Sequence, residues 1–133
     1  MQREAIRHKK KDLKIVYRDL NHTNVEQLKI LLERSLPVTY QKNFYDRLLD
    51  YSRYSRLAYY KDVLIGAITC KEDFERDEND KKTESFGVYL MTITVLKAYR
   101  RYGLGSKMLE DTLKHYKEDT ELNTIFLDVQ SNN

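Results

Sequence analysis

Between Tyr89 and Met108 the chain passes from an apolar, β-branched run through a basic glycine turn into an amphipathic segment. Few folds accommodate that order. Leu90, Met91, Ile93, Val95 and Leu96 read as a buried strand, and Met108, Leu109 and Leu113 fall on one face of a following helix. The turn between them is Arg100-Arg101-Tyr102-Gly103-Leu104-Gly105. Strand, glycine turn and helix start together make a place to hold a phosphate. Glycine lets the backbone approach an anion closely and take a positive φ. The first amides of a helix have no acceptor within it and carry partial positive charge. Arginines add charge-assisted hydrogen bonds. The plain alternative is a glycine-capped surface turn with solvated arginines.

Spacing excludes two other phosphate loops. A Walker loop ends in Gly-Lys-Ser/Thr, whereas this turn runs Gly103-Leu104-Gly105-Ser106-Lys107. A dinucleotide fingerprint needs a third glycine three residues after the second, and that position is Met108. The pattern that is present is Arg-x-x-Gly-x-Gly, following a strand.

A chain of 133 residues supports one domain with a real core. The net charge of +3, with both signs spread along the chain, does not point to a specific nucleic-acid partner. No apolar run approaches the length of a membrane span, and no membrane partner is expected. The lone Cys70, in a strand-like run, reads as a small buried residue in a reducing compartment. No metal-ligand spacing stands out, so no metal is expected. Residues 1–11 form a basic tail, read as disordered and solubilising; the sharper reading is an arm touching ribosomal RNA or a partner subunit. The remainder, 12–133, reads as a single domain.

Leu13 to Arg18 alternates as a first strand. Thr23-Asn24-Val25-Glu26 has the form of a capping box, opening a helix with Val25, Leu28, Leu31 and Leu32 on one side. That helix should stop near Ser35, because Pro37 disfavours helix in the residue before it. A second helix is expected over 41–50, burying Phe44, Leu48 and Leu49. Strands over 56–60 and 63–70 meet in a tight hairpin at Lys61-Asp62. The charged stretch 71–82 reads as a solvated loop, followed by a strand over 86–96, a helix over 105–117 and a last strand over 124–130.

The Arg100–Gly105 turn resembles the pyrophosphate loop of the GNAT acyltransferases. Leu36-Pro37-Val38-Thr39-Tyr40, Leu57-Ala58-Tyr59-Tyr60, Tyr89-Leu90-Met91-Thr92, Ala98-Tyr99-Arg100-Arg101 and Ile125-Phe126-Leu127-Asp128-Val129-Gln130 extend the likeness. They resemble the eukaryotic N-terminal acetyltransferases that form the catalytic subunit of the E-type complex. The resemblance implies an α/β GNAT fold, a mixed central sheet flanked by helices. It also implies direct acetyl transfer from acetyl-CoA to the α-amine of peptides starting with Met and an apolar residue. A peptide or nascent-chain N-terminus would be the partner, with a larger auxiliary subunit at the ribosome. The compartment implied is the cytoplasm, and also the nucleus.

Carried over residue by residue, the resemblance puts the cofactor along Ile93, Thr94 and Val95, with the amides of Ile93 and Val95 as donors freed by a bulge in that strand. It continues through Arg100, Arg101, Tyr102, Gly103, Leu104, Gly105 and Ser106, and ends at Asn132. Leu36, Pro37, Val38, Tyr40 and Met91 would hold the substrate peptide; from composition alone, the Leu36–Tyr40 loop reads as a turn packed on the core. Tyr89 matches the catalytic tyrosine. The family's histidine is replaced by Asp128, open to three readings: a base acting through water, a partner for the substrate ammonium, or a polar strand-end residue. The family fold continues with a helix and two strands beyond the point reached here. The last strand would then be an exposed edge, and the expectation is either a shortened form of a longer protein or an edge covered by another chain, a homodimer partner included. Two other functions stay open: a GNAT enzyme for lysine or a small amine, and a non-catalytic acetyl-CoA-binding scaffold subunit.

Overall fold

The computed structural model describes residues 13–51, 53–119 and 125–131; the basic tail 1–11 and Asn132 lie outside them. The elements run β1 (Val16–Asp19), α1 (Val25–Ser35), α2 (Lys42–Tyr51), β2 (Arg56–Tyr60), β3 (Val63–Arg76), β4 (Lys82–Val95), a 3₁₀ helix (Lys97–Tyr102), α3 (Leu104–Asp119) and β5 (Ile125–Ser131). The strands form one sheet in chain order, antiparallel from β1 to β4 and parallel between β4 and β5.

Apolar residues on both faces of the sheet dictate three layers. Toward α3 lie Ile65, Ile68, Cys70, Val88, Leu90 and Val95, packed on Leu104, Met108 and Tyr116. Toward α1 and α2 lie Leu57, Tyr59 and Ala67, packed on Leu28, Leu31, Leu32, Tyr45 and Leu48. Burying each large side chain contributes about 1.5–3 kcal/mol.

The β2–β3 hairpin forms as expected. Lys61 and Asp62 both have positive φ, 48° and 66°, the turn that matches the right-handed twist of its strands. Three expectations are corrected. The capping box does not form. The N-cap is Asn24, and the Thr23 hydroxyl donates to Asn21 Oδ1 at 2.5 Å. Asn21 Oδ1 also accepts from the Thr23 and Asn24 amides, a local turn that competes for the hydroxyl. In α2 the buried aromatic is Tyr45, with Phe44 and Leu49 only half-buried.

The third correction concerns residues 71–82. β3 continues to Arg76, and β4 already begins at Lys82. The arm is held by a Phe74–Phe86 cross-strand pair with ring centroids 4.9 Å apart. Asp77 Oδ1 closes its tip by accepting from the Asn79 and Lys81 amides, both at 2.9 Å.

Two measurements test this packing. A Cβ added at Gly66 would lie 2.9 Å from the Thr94 carbonyl oxygen, a backbone atom in the paired strand. Gly66→Ala is expected to cost about 1–3 kcal/mol, read as a lower Tm. Burial pushes the Cys70 thiol up from 9.0 to about 12 and the Tyr45 phenol up from 10.0 to about 12. The fold thus favours both neutral forms. The stabilisation is complete below about pH 9 and is lost as pH rises toward about 12. The Tm should hold level through neutrality and fall on the alkaline side, less steeply in Cys70→Ala.

Candidate active site

The site begins with an irregularity in β4. Thr92 pairs with Thr69 and Leu90 with Cys70, leaving Met91 as the extra residue. Val88 and Leu90 face the α3 layer before this bulge, and Ile93 and Val95 face it afterwards. The bulge switches which side chains each layer receives and interrupts the ladder beside Met91. On the other side, β5 pairs Leu127 with Leu90 and Gln130 with Thr92, so Asp128 and Val129 lie along the strand opposite Met91. Pairing with β5 reaches Ile93; Thr94 and Val95 lie past it among the described residues.

Tyr89 is half-buried two residues before the bulge, and its hydroxyl donates to the Phe74 carbonyl oxygen at 3.3 Å. Desolvation raises its phenol pKa, partly opposed by a backbone hydrogen bond from Arg76. The phenol is therefore neutral at physiological pH and is a proton holder there, not a ready base.

The loop after α1 comes next to this strand. Leu36 has extended backbone, φ −110° and ψ 149°, as the residue before a proline must, and its amide donates to the Leu32 carbonyl. Leu36 is buried in the core, whereas Pro37 and Val38 are exposed. Tyr40 stacks on Phe44 with centroids 4.0 Å apart. Phe44 in turn lines a cavity of about 150 Å³ with Asn43, Arg47, Leu48, Lys71 and Met91. The structure so brings together Tyr40, through Phe44, and Met91. The sequence does not point to Phe44, Arg47 or Lys71 here, because Phe44 falls on the apolar face of its helix and Lys71 opens a charged stretch.

Past Val95, the Leu96 amide donates to the Ile65 carbonyl at 2.8 Å, and the chain turns into the 3₁₀ helix. Arg100 Nε donates to the Val95 carbonyl at 2.9 Å, tying the turn to the strand end. Gly103 takes the left-handed conformation, φ 70° and ψ 21°. α3 then starts at Leu104, one residue earlier than expected, seated by buried Leu104 and Met108. The Lys107 amide closes the first turn onto the Gly103 carbonyl at 3.1 Å. The amides of Leu104, Gly105 and Ser106 belong to the open first turn. A Cβ at Gly105 would meet only Ile93 Cγ2, at 3.6 Å, so internal packing does not require glycine there. Arg101 and Tyr102 are exposed on the same turn. A strand end, a left-handed glycine and open helix amides fit a pyrophosphate. No cluster able to hold a metal occurs among the described residues.

A glycine-turned helix start beside a bulged central strand is an arrangement able to seat the phosphates of a nucleotide-bearing cofactor. The chain belongs to the acetyltransferase (GNAT) family, whose model matches residues 24–133. Over 115 residues it is 36% identical to the probable N-acetyltransferase san of Drosophila melanogaster, covering 86% of this chain and 59% of that protein. It is also 36% identical over 115 residues to N-alpha-acetyltransferase 50 of Danio rerio, covering 86% and 64%. The chain thus spans about three-fifths of the curated relatives it matches. Among solved structures it resembles Arabidopsis thaliana Naa50 in complex with the bisubstrate analogue CoA-Ac-MVNAL, with TM-score 0.71 and 31% identity over 86% of this chain and 72% of that one. Arabidopsis NAA60 in complex with acetyl-CoA shares the fold, with TM-score 0.67 at 20% identity over 86% and 76%.

The two glycines of the turn are expected to separate on substitution. Gly103→Ala forces a side chain into the left-handed region and should cost about 1–2 kcal/mol of stability. Gly105→Ala should leave the Tm nearly unchanged yet weaken CoA binding, measured by calorimetry, because its Cβ would stand where a ligand approaches the amides.

Proposed function

We propose that this chain is an N-terminal acetyltransferase. It would move the acetyl group of acetyl-CoA to the α-amine of peptides that begin with Met and an apolar residue. The observation that carries the proposal is the sequence of bulged strand, left-handed glycine and open helix amides, with a cavity at Met91 beside the bulge. The 36% identity to N-alpha-acetyltransferase 50 supports the choice of an α-amine.

Bound acetyl-CoA supplies an activated acyl thioester. The chain's own part is to hold its phosphates and present the amine. Leu104, Gly105 and Ser106 offer amides to the pyrophosphate, with Arg100, Arg101 and Tyr102 around them. Ile93 and Val95 offer backbone donors along β4, and Thr94 flanks them on the strand. Pro37, Val38, Tyr40 and Met91 receive the peptide, with Leu36 anchoring the loop in the core. An α-amine has a pKa of about 7.7–8.0, so a useful fraction is neutral near pH 7 and a strong base is unnecessary. Orientation at about 3–3.5 Å then supplies much of the rate. Tyr89 keeps its proton and donates a hydrogen bond, while Asp128 accepts the amine proton through water.

The test pairs acetyl-CoA with Met-Leu peptides and with amine-blocked peptides carrying a free lysine. Acetylation of the Met-Leu α-amine is expected. Product on lysine alone overturns the α-amine assignment, and acetyl-CoA binding without turnover of any amine makes the chain a binding subunit. Asp128→Asn should lower kcat/KM by roughly 10²-fold, while the fall on the acidic side that the substrate amine itself imposes stays. An unchanged kcat/KM removes Asp128 as the base.

A further inference from the structure

The cavity at Met91 does not end there. Arg47 and Lys71, two of its walls, also line a much larger open groove of about 720 Å³ between α2 and the β3–β4 arm. Arg47, Asp50 and Arg53 form one bank of this groove. Lys71, Glu72, Asp73, Arg76 and Lys82 form the other, with Phe74 and Phe86 between them. Five cationic groups therefore face three carboxylates, and the carboxylates are mostly occupied. Glu72 pairs with Arg53 at 3.4 Å, and Asp73 with Lys71 at 3.7 Å. Among the described residues, Arg47, Arg76 and Lys82 pair with no carboxylate, and only Asp50 is left to offset them.

Such a groove favours a negatively charged occupant. Its position decides which one. An extended peptide advances about 3.3 Å per residue, so a chain whose first residues fill the Met91 cavity must carry its next residues past Arg47 and Lys71. Resting on the peptide-acetylating function proposed above, we propose that this groove holds the substrate residues after the second and selects acidic side chains there. Arg47 is the hinge of that selection because it borders both spaces. Arg76 and Lys82, a cross-strand pair on the arm, meet the residues further along.

The selection is electrostatic and solvent-exposed, so each contact is worth about 1.4- to 5-fold and fades with salt. Three such contacts together correspond to a preference of roughly 3- to 150-fold at low ionic strength. The experiment measures kcat/KM for three Met-Leu peptides that differ only at positions three to six: acidic, neutral or basic. The acidic peptide should lead and the basic one trail, with the gap closing as salt is raised. Arg47→Glu should invert or abolish the order. Lys114→Glu, the same charge change on the exposed side of α3, should leave it intact. Equal kcat/KM for all three peptides, or an order that Arg47→Glu leaves untouched, overturns the groove assignment while the transferase function stands. Absence of turnover on every peptide overturns the transferase function, and this proposal with it.

Discussion

β4 has to satisfy four neighbours at once, and the extra residue at Met91 is how it does so. A regular strand would keep one set of side chains on each face from Lys82 to Val95. Instead the α3 layer is fed by Val88 and Leu90 below the bulge and by Ile93 and Val95 above it. Thr92 turns the other way and shares a hydrogen bond with Thr69 at 2.5 Å inside the sheet. Without the bulge, either the upper or the lower half would present its apolar side chains to the wrong layer. The same irregularity breaks the ladder next to Tyr89 and Asp128. One feature of the backbone thus serves the core and opens the site.

The glycine turn inherits its position from that strand. Arg100 is bound to the Val95 carbonyl, and Leu96 is bound to Ile65, so the turn cannot drift away from the end of β4. Leu104 and Met108 then fix the direction of α3 from below. Open amides at a helix start bind an anion well only when their direction is settled beforehand, since ordering them on binding would cost conformational entropy. Here the core and the Arg100 contact do that ordering in advance.

Much of this was legible because it depends on local chemistry. The strand, the glycine turn and the helix follow from residue type at short range, as do the stop of α1 before Pro37 and the Lys61-Asp62 hairpin. What failed depended on competition or on distant pairing. Thr23 has the right spacing to cap α1, but Asn21 reaches its hydroxyl first. The stretch 71–82 is polar enough to pass for a loop. Its strand character comes from Phe74 meeting Phe86 across a turn, a pairing hidden in the surrounding charge. Phe44 and Tyr45 are neighbours in sequence, and only the direction in which α2 packs decides that Tyr45 goes inward. The wall residues Arg47 and Lys71 come together only once α2 lies against β3.

Cys70 is wholly buried in the middle of the sheet, and its sulfur is the only thiol in the chain. Burial keeps it protonated far above neutral pH, and alkylating reagents react with the thiolate. Native molecules should therefore resist such reagents for as long as the central strands stay closed. The rate at which the chain is labelled then becomes a clock for large-scale opening, carried by the natural sequence with no probe added.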